Sequence, residues 1–169
     1  MSEQPTRAMI ESRGDFQNAV RGALAEAALI GCREIWLVDD GYVRKTAHYI
    51  RTLLERRNRY TQRIYRDDPA IAVLEIMNEP GYVSYGEMTT NPHYQSLHDE
   101  FHSWLRERGL DSFPETHYSL FRYEYVKKYI ATMYQTIRGT GAQQPVAWCL
   151  NWPRFITDHE DVFQAVADS

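Results

Sequence analysis

Apolar positions along this chain follow two patterns: helical spacing over long stretches, and two short unbroken runs. In residues 8–30, Phe16, Val20, Ala23, Leu24, Ala27 and Ile30 recur every three or four positions, which predicts a helix that Gly31 can end. Residues 42–57 predict a second helix, with Ala47, Ile50, Leu53 and Leu54 on one side and arginines on the other. Residues 97–108 predict a third, with Phe101, Trp104 and Leu105 on one face. The clearest helical pattern is 118–138. Its stripe runs through Tyr125 or Val126, Tyr129 or Ile130, Met133 and Ile137, and Gly139 and Gly141 follow as stop signals. Residues 161–167 begin another helix, and 34–38 form a brief β-capable run. Residues 58–68 read as a polar loop. Residues 81–94 read as loop from Gly81, Gly86, Asn91 and Pro92.

The unbroken runs differ in kind. Pro69 is followed by Ala70-Ile71-Ala72-Val73-Leu74-Glu75-Ile76-Met77, and the run stops at Asn78-Glu79-Pro80. An apolar run of this length between a proline and a polar stop predicts a strand buried on both faces. Pro145 opens a second run, Val146-Ala147-Trp148-Cys149-Leu150, which stops at Asn151-Trp152-Pro153. Strands alternating with helices predict parallel βα units and an α/β fold. In such folds the C-terminal strand ends share one face, and chemistry gathers there.

Bulk properties narrow the picture modestly. One domain is the expectation for 169 residues, enough to bury a core, and no repeat or linker interrupts them. A formal net charge of −4 gives no electrostatic reason to expect nucleic acid or an acidic membrane surface. Arg51, Arg56, Arg57, Arg59, Arg63 and Arg66 form a local basic cluster, read here as a solvated helix face and loop because Glu55, Asp67 and Asp68 interrupt it. Cys32 and Cys149 fit no metal or redox spacing. No apolar run is long enough to span a membrane, and residues 1–7 lack the apolar core of a signal peptide. For a chain that truly begins at Met1 the expectation is the cytoplasm.

The chemistry falls on Glu79. A carboxylic acid at the rim of an apolar strand has its pKa raised by desolvation, which suits a general acid near neutral pH. Glycosidic cleavage needs such an acid and a second carboxylate across the bond. Asn78, whose amide both donates and accepts, suits a hydroxyl-rich substrate. Glu75 cannot be the partner. Four residues along a strand span roughly 13 Å, against about 5 Å for a retaining pair and about 6.5–9.5 Å for an inverting pair. Glu75 is expected to lie deeper, as a buried carboxylate paired with a basic group. Asp158, Glu160 and Asp161 are expected at a solvated helix start. Trp152, Tyr82 and Tyr85 are candidate platforms for sugar rings, with core packing as the competing role for each.

The block from Asp68-Pro69-Ala70-Ile71-Ala72 through Glu75-Ile76-Met77-Asn78-Glu79 resembles the fourth barrel strand of clan A glycoside hydrolases, the cellulase- and β-mannanase-like retaining enzymes of family five and its relatives. Upstream, Tyr49-Ile50-Arg51-Thr52-Leu53-Leu54, Asn58-Arg59-Tyr60-Thr61 and Tyr65-Arg66-Asp67 are similar to the helix and loop before that strand. Phe101-His102-Ser103-Trp104-Leu105 looks like the helix after it, and residues 145–152 look like the fifth strand. The resemblance covers residues 36–165 and implies an incomplete TIM (β/α)8 barrel of two to three βα units, in one domain over residues 1–169. It implies hydrolysis of a β-linked polysaccharide or oligosaccharide without a cofactor. Glu79 would be the acid/base and Asn78 the holder of the sugar 2-hydroxyl, with Asn151, Trp152 and Tyr82 around the substrate. The family's nucleophile is a second Glu on the seventh strand, which this chain is expected to lack. That makes the chain a fragment inactive by itself, and leaves secretion of a parent enzyme open. Residues 1–34 take no part in the resemblance.

Two other readings compete. A non-catalytic carbohydrate-binding or decayed fragment would keep Asn78 and Trp152 without turnover. A zinc-dependent hydrolase would use His98 and His102, spaced i and i+4 on one helix face. Asp99 stands where the zinc-protease pattern needs Glu, and the sequence offers no evident third ligand.

Overall fold

A computed structural model describes residues 38–78, 82–110, 112–149 and 160–169. They belong to the compact unit Arg33–Ser169, one of two into which the chain divides after Cys32. The expected helix over 8–30 lies outside the described residues, as do Cys32, Glu79, Asn151, Trp152 and Asp158. Of the β-capable run 34–38 only Val38 is described, and its backbone is helical.

The described architecture is mixed α/β and mostly helical. Helix α1 (Asp40–Glu55) starts where the Asp39 carboxylate accepts the Tyr42 amide at 2.8 Å. It buries Ala47 and Leu54 and leaves Leu53 on its exposed flank. Strand β1 (Leu74–Asn78) follows, then the short α2 (Tyr85–Thr90), α3 (Gln95–Arg108), the long α4 (Tyr118–Gly139), strand β2 (Val146–Cys149) and α5 (Glu160–Ala167). Helix α2 occupies part of the expected loop 81–94. Ser84 and Glu87 form a reciprocal capping box there: the Ser84 Oγ accepts the Glu87 amide at 3.2 Å and the Glu87 carboxylate accepts the Ser84 amide at 3.1 Å. Gly109 ends α3 in the left-handed region at φ 65°, a conformation that costs glycine little.

The core gathers on α4. Val126, Tyr129, Ile130 and Met133 pack with Ala47 of α1, Tyr82, and Val162 and Ala165 of α5. Farther toward the α4 N-terminus, Phe101 sits fully buried among rings, 5.1 Å from Phe121 and 5.3 Å from Tyr118, both edge-to-face. Trp104 Nε1 and Arg108 both donate to the Glu124 carboxylate, at 2.8 and 2.9 Å, which fixes α3 against α4.

The two strands pair in parallel, with the intervening helices forming the crossover. The expected burial on both faces is not found. Val73 is 52 % exposed, Glu75 and Asn78 are exposed, and Leu74, Ile76 and Met77 are half-buried. Among the described residues the core packs against Ile76 and Trp148 of the sheet while Glu75 and Asn78 stay exposed, so an apolar run does not guarantee burial on both sides.

Candidate functional site

The parallel pairing sets the C-terminal ends of β1 and β2 side by side, because Asn78 is the register partner of Cys149. The register starts evenly, Leu74 opposite Val146 and Glu75 opposite Ala147, and then shifts before Asn78. Three steps along β1 match two along β2, so β1 carries one extra residue, a β-bulge at Ile76-Met77. Without it, alternation would put Asn78 on the face of Ile76. The burial pattern records the slip: Glu75 out, Ile76 and Met77 both half-buried, Asn78 out again. The shift therefore leaves Asn78 exposed at the strand end, on the face of Glu75.

Glu75 does not lie deep as expected. It is exposed on β1, since it falls on the uncovered side of the pleat, and no ion pair joins it to another described residue. Asn78 is the one expected site residue described at a strand end; Glu79, Asn151 and Trp152 fall outside the described residues. Tyr82 is only 7 % exposed and packs in the core with Val126, Tyr129 and Met133. Its ring faces are spent on packing. Tyr85 is half-buried and meets Phe101 and Tyr118 at 6.2 and 5.8 Å, within the same aromatic cluster.

Beneath β2, Trp148 meets Tyr129 edge-to-face at 6.0 Å, and burial, foremost among the causes, pushes the Tyr129 phenol well above its ordinary range. Burial first, and then the hydrogen bond to Glu100, raises the Tyr125 phenol likewise. Both phenols stay neutral at physiological pH; Tyr125 donates to Glu100, and Tyr129 forms part of the core wall. Cys149 is a half-buried free thiol.

One assembly at the N-terminal part of α4 was not expected from the sequence. Arg122, in the N-terminal part of α4, is buried and donates through Nε and Nη2 to both carboxylate oxygens of Asp161, each at 2.8 Å. Its Nη1 donates to the Val83 carbonyl at 3.3 Å, and the Tyr118 hydroxyl donates to the same oxygen at 3.1 Å. Asp161 is thus a structural anchor and not part of a solvated helix start. A cleft of about 490 Å³ opens beside the pair, lined by Ser119, Arg122, Tyr123, Glu160 and Gln164. A second, of about 260 Å³, lies against the sheet between Ile76, Tyr134, Val146, Trp148 and Val166. Neither Asn78 nor Tyr82 lines either cleft.

His98 and His102 do share one face of α3, their rings 4.3 Å apart at 46°. Asp99 approaches His98 Nδ1 at 3.6 Å. Among the described residues no group of three or more His, Cys, Asp or Glu side chains is arranged to hold a metal ion. No described helix is long and apolar enough to cross a membrane.

No protein-family model, curated protein or solved structure matches the chain.

Proposed function

We propose that the chain is the central part of a retaining glycoside hydrolase acting on a β-linked polysaccharide or oligosaccharide, built as two to three βα units of a TIM barrel. What carries the reading is the exposure of the Asn78 amide at the end of a parallel strand, one residue before Glu79, beside the end of the strand that runs into Asn151 and Trp152. In the proposed mechanism Glu79 protonates the leaving oxygen and later activates water, and Asn78 holds the sugar 2-hydroxyl. Tyr82 supports this region from within the core instead of stacking on substrate. The nucleophilic carboxylate is assigned to no residue of this chain. Turnover would therefore need a second Glu from outside it.

The test is a titration of the purified chain with cellohexaose and mannohexaose, followed by calorimetry. Binding is expected, weakened about fivefold in Asn78→Ala, in line with one lost hydrogen bond of about 1 kcal/mol. No hydrolysis should accompany it. Hydrolysis that Glu79→Gln abolishes would show that the chain holds its own second carboxylate. Absence of binding to either sugar would remove the carbohydrate reading.

A further inference from the structure

The arginine cluster at the other end of β1 does not behave as an ordinary solvated face. From Arg44 to Arg63 seven side chains are cationic and one, Glu55, is anionic, although the whole chain carries a formal charge of −4. Lys45 and Tyr49 stand four residues apart on α1, opposite the side that buries Ala47 and Leu54, and the exposed Arg56 follows at the helix's C-cap. Tyr49 is 57 % exposed. The line continues into a turn after α1 that presents Arg59, Tyr60 and Arg63, with Tyr60 at 74 % exposure.

The turn is firmly built. An antiparallel bridge joins Arg57 to Ile64, the Asn58 amide donates to the Arg63 carbonyl at 2.7 Å, and the Gln62 amide donates to the Asn58 carbonyl at 2.8 Å. The Asn58 side chain accepts the Tyr60 amide at 2.9 Å, and Gln62 takes φ 58° to close the loop. The Arg59 guanidinium lies 4.6 Å from the Tyr60 ring centroid, covering one face of the ring. No ion pair links Lys45, Arg56, Arg59 or Arg63 to another described residue. A turn ordered by its own backbone holds cations and rings in solvent, where neither contributes to a core.

We infer that Lys45, Tyr49, Arg56, Arg59, Tyr60 and Arg63 form a binding surface for a carboxylate-bearing polysaccharide, a polymer of uronic acid residues. Guanidinium groups take carboxylates bidentately, and an amphipathic tyrosine ring offers its face to the C–H side of a sugar. A sparsely charged polymer is favoured over nucleic acid. A duplex carries a charge every ~1.7 Å along its axis, and the acidic remainder of this chain repels such a density. The choice of a sugar polymer rests on the carbohydrate reading above, but the surface is separate from Asn78, because the turn precedes β1 and Asn78 ends it.

Fluorescence anisotropy of a labelled hexagalacturonate tests this, with cellohexaose and a single-stranded oligothymidylate as comparison ligands. Hexagalacturonate is expected to bind more tightly than oligothymidylate, and its affinity should fall several-fold between about 50 and about 200 mM salt. Arg59→Gln/Arg63→Gln should weaken it about tenfold and Tyr60→Ala about fivefold, while Lys128→Gln, at an exposed cation outside the surface, leaves it unchanged and the far-ultraviolet circular dichroism of every variant stays native. Failure of hexagalacturonate to bind, or binding indifferent to these variants, overturns the inference. So does oligothymidylate binding equally well with the same losses, which would make the surface a nucleic-acid site. Cellohexaose binding that only Asn78→Ala weakens reports on the strand-end site alone, so the two readings fail separately.

Discussion

Arg122 and Asp161, 39 residues apart, meet through two parallel hydrogen bonds of 2.8 Å with side chains only 6 % and 11 % exposed. The pair ties α4 to the first turn of α5, and through the Val83 carbonyl it also ties the residues entering α2. Removing one partner strands the other charge in a poorly hydrated place. Asp161→Ala is expected to destabilise the fold by about 3–5 kcal/mol in urea denaturation. Replacing both together, Arg122→Met with Asp161→Leu, should cost less than Asp161→Ala alone, because no unpaired charge remains. A single variant that shifts stability by less than about 1 kcal/mol would show that water reaches the pair freely.

The aromatic cluster supplies a second expectation. Phe101 has no exposed surface and touches rings of α3 and α4. Phe101→Ala should cost about 3–5 kcal/mol through lost transfer energy and the cavity left behind. Leu120, 47 % exposed on the neighbouring helix, is the control, and Leu120→Ala should stay within about 0.5 kcal/mol. Chemical denaturation monitored by tryptophan fluorescence measures both.

At the C-terminal end, the Tyr123 hydroxyl donates to Asp168 at 2.8 Å and Gln164 Nε2 donates to its other oxygen at 2.8 Å, with Lys127 nearby. The Tyr123 hydrogen bond, first among these causes, holds the carboxyl below the usual range of about 3.9. A depressed carboxylate pKa means that the stabilisation is present above the ordinary value and is lost as pH falls through the lower, folded one. The contact of Asp168 with Tyr123 of α4 should therefore hold at neutral pH and be lost as pH falls through that lowered value. Carbon-detected titration of Asp168 should show a midpoint below that of a free aspartate, and Tyr123→Phe should move it upward.

Helix α2 has six residues, too short to persist without its cap. Ser84→Ala removes the acceptor for the Glu87 amide and should cost about 1 kcal/mol. Faster hydrogen exchange at the Glu87 amide, with the α4 amides unchanged, would show that the loss is local.

Much of this architecture was legible along the chain. The helices over 42–57, 97–108, 118–138 and 161–167, and the strand after Pro145, reappear within a few residues as α1, α3, α4, α5 and β2, because each has one apolar side that a neighbour covers. The parallel pairing followed from strands alternating with helices. What escaped has physical reasons. Helix α2 was hidden because Gly86 and Pro92 read as breakers, although Ser84-Tyr85-Gly86-Glu87 spells a capping box. Asp161 looked solvated because its partner sits 39 residues away, and a single charged letter does not reveal a distant buried guanidinium. Burial of Glu75 was overestimated because composition alone does not say how many layers cover a strand. The barrel and its glycosidase chemistry rest on the resemblance around Asn78 and Glu79, and they stand as a proposal.

The bulge in β1 absorbs one surplus residue without changing the face that Asn78 takes relative to Glu75. Point substitutions at Ile76 or Met77 change what is packed there, but they leave the count intact. Deleting either residue would remove the extra step, place Asn78 two positions after Glu75 on the same exposed face, and keep it opposite Cys149. The strand end is therefore tolerant both of changes in spelling and of the loss of its one extra letter. In a library of variants, single deletions of Ile76 or Met77 should survive about as well as replacements at the same positions.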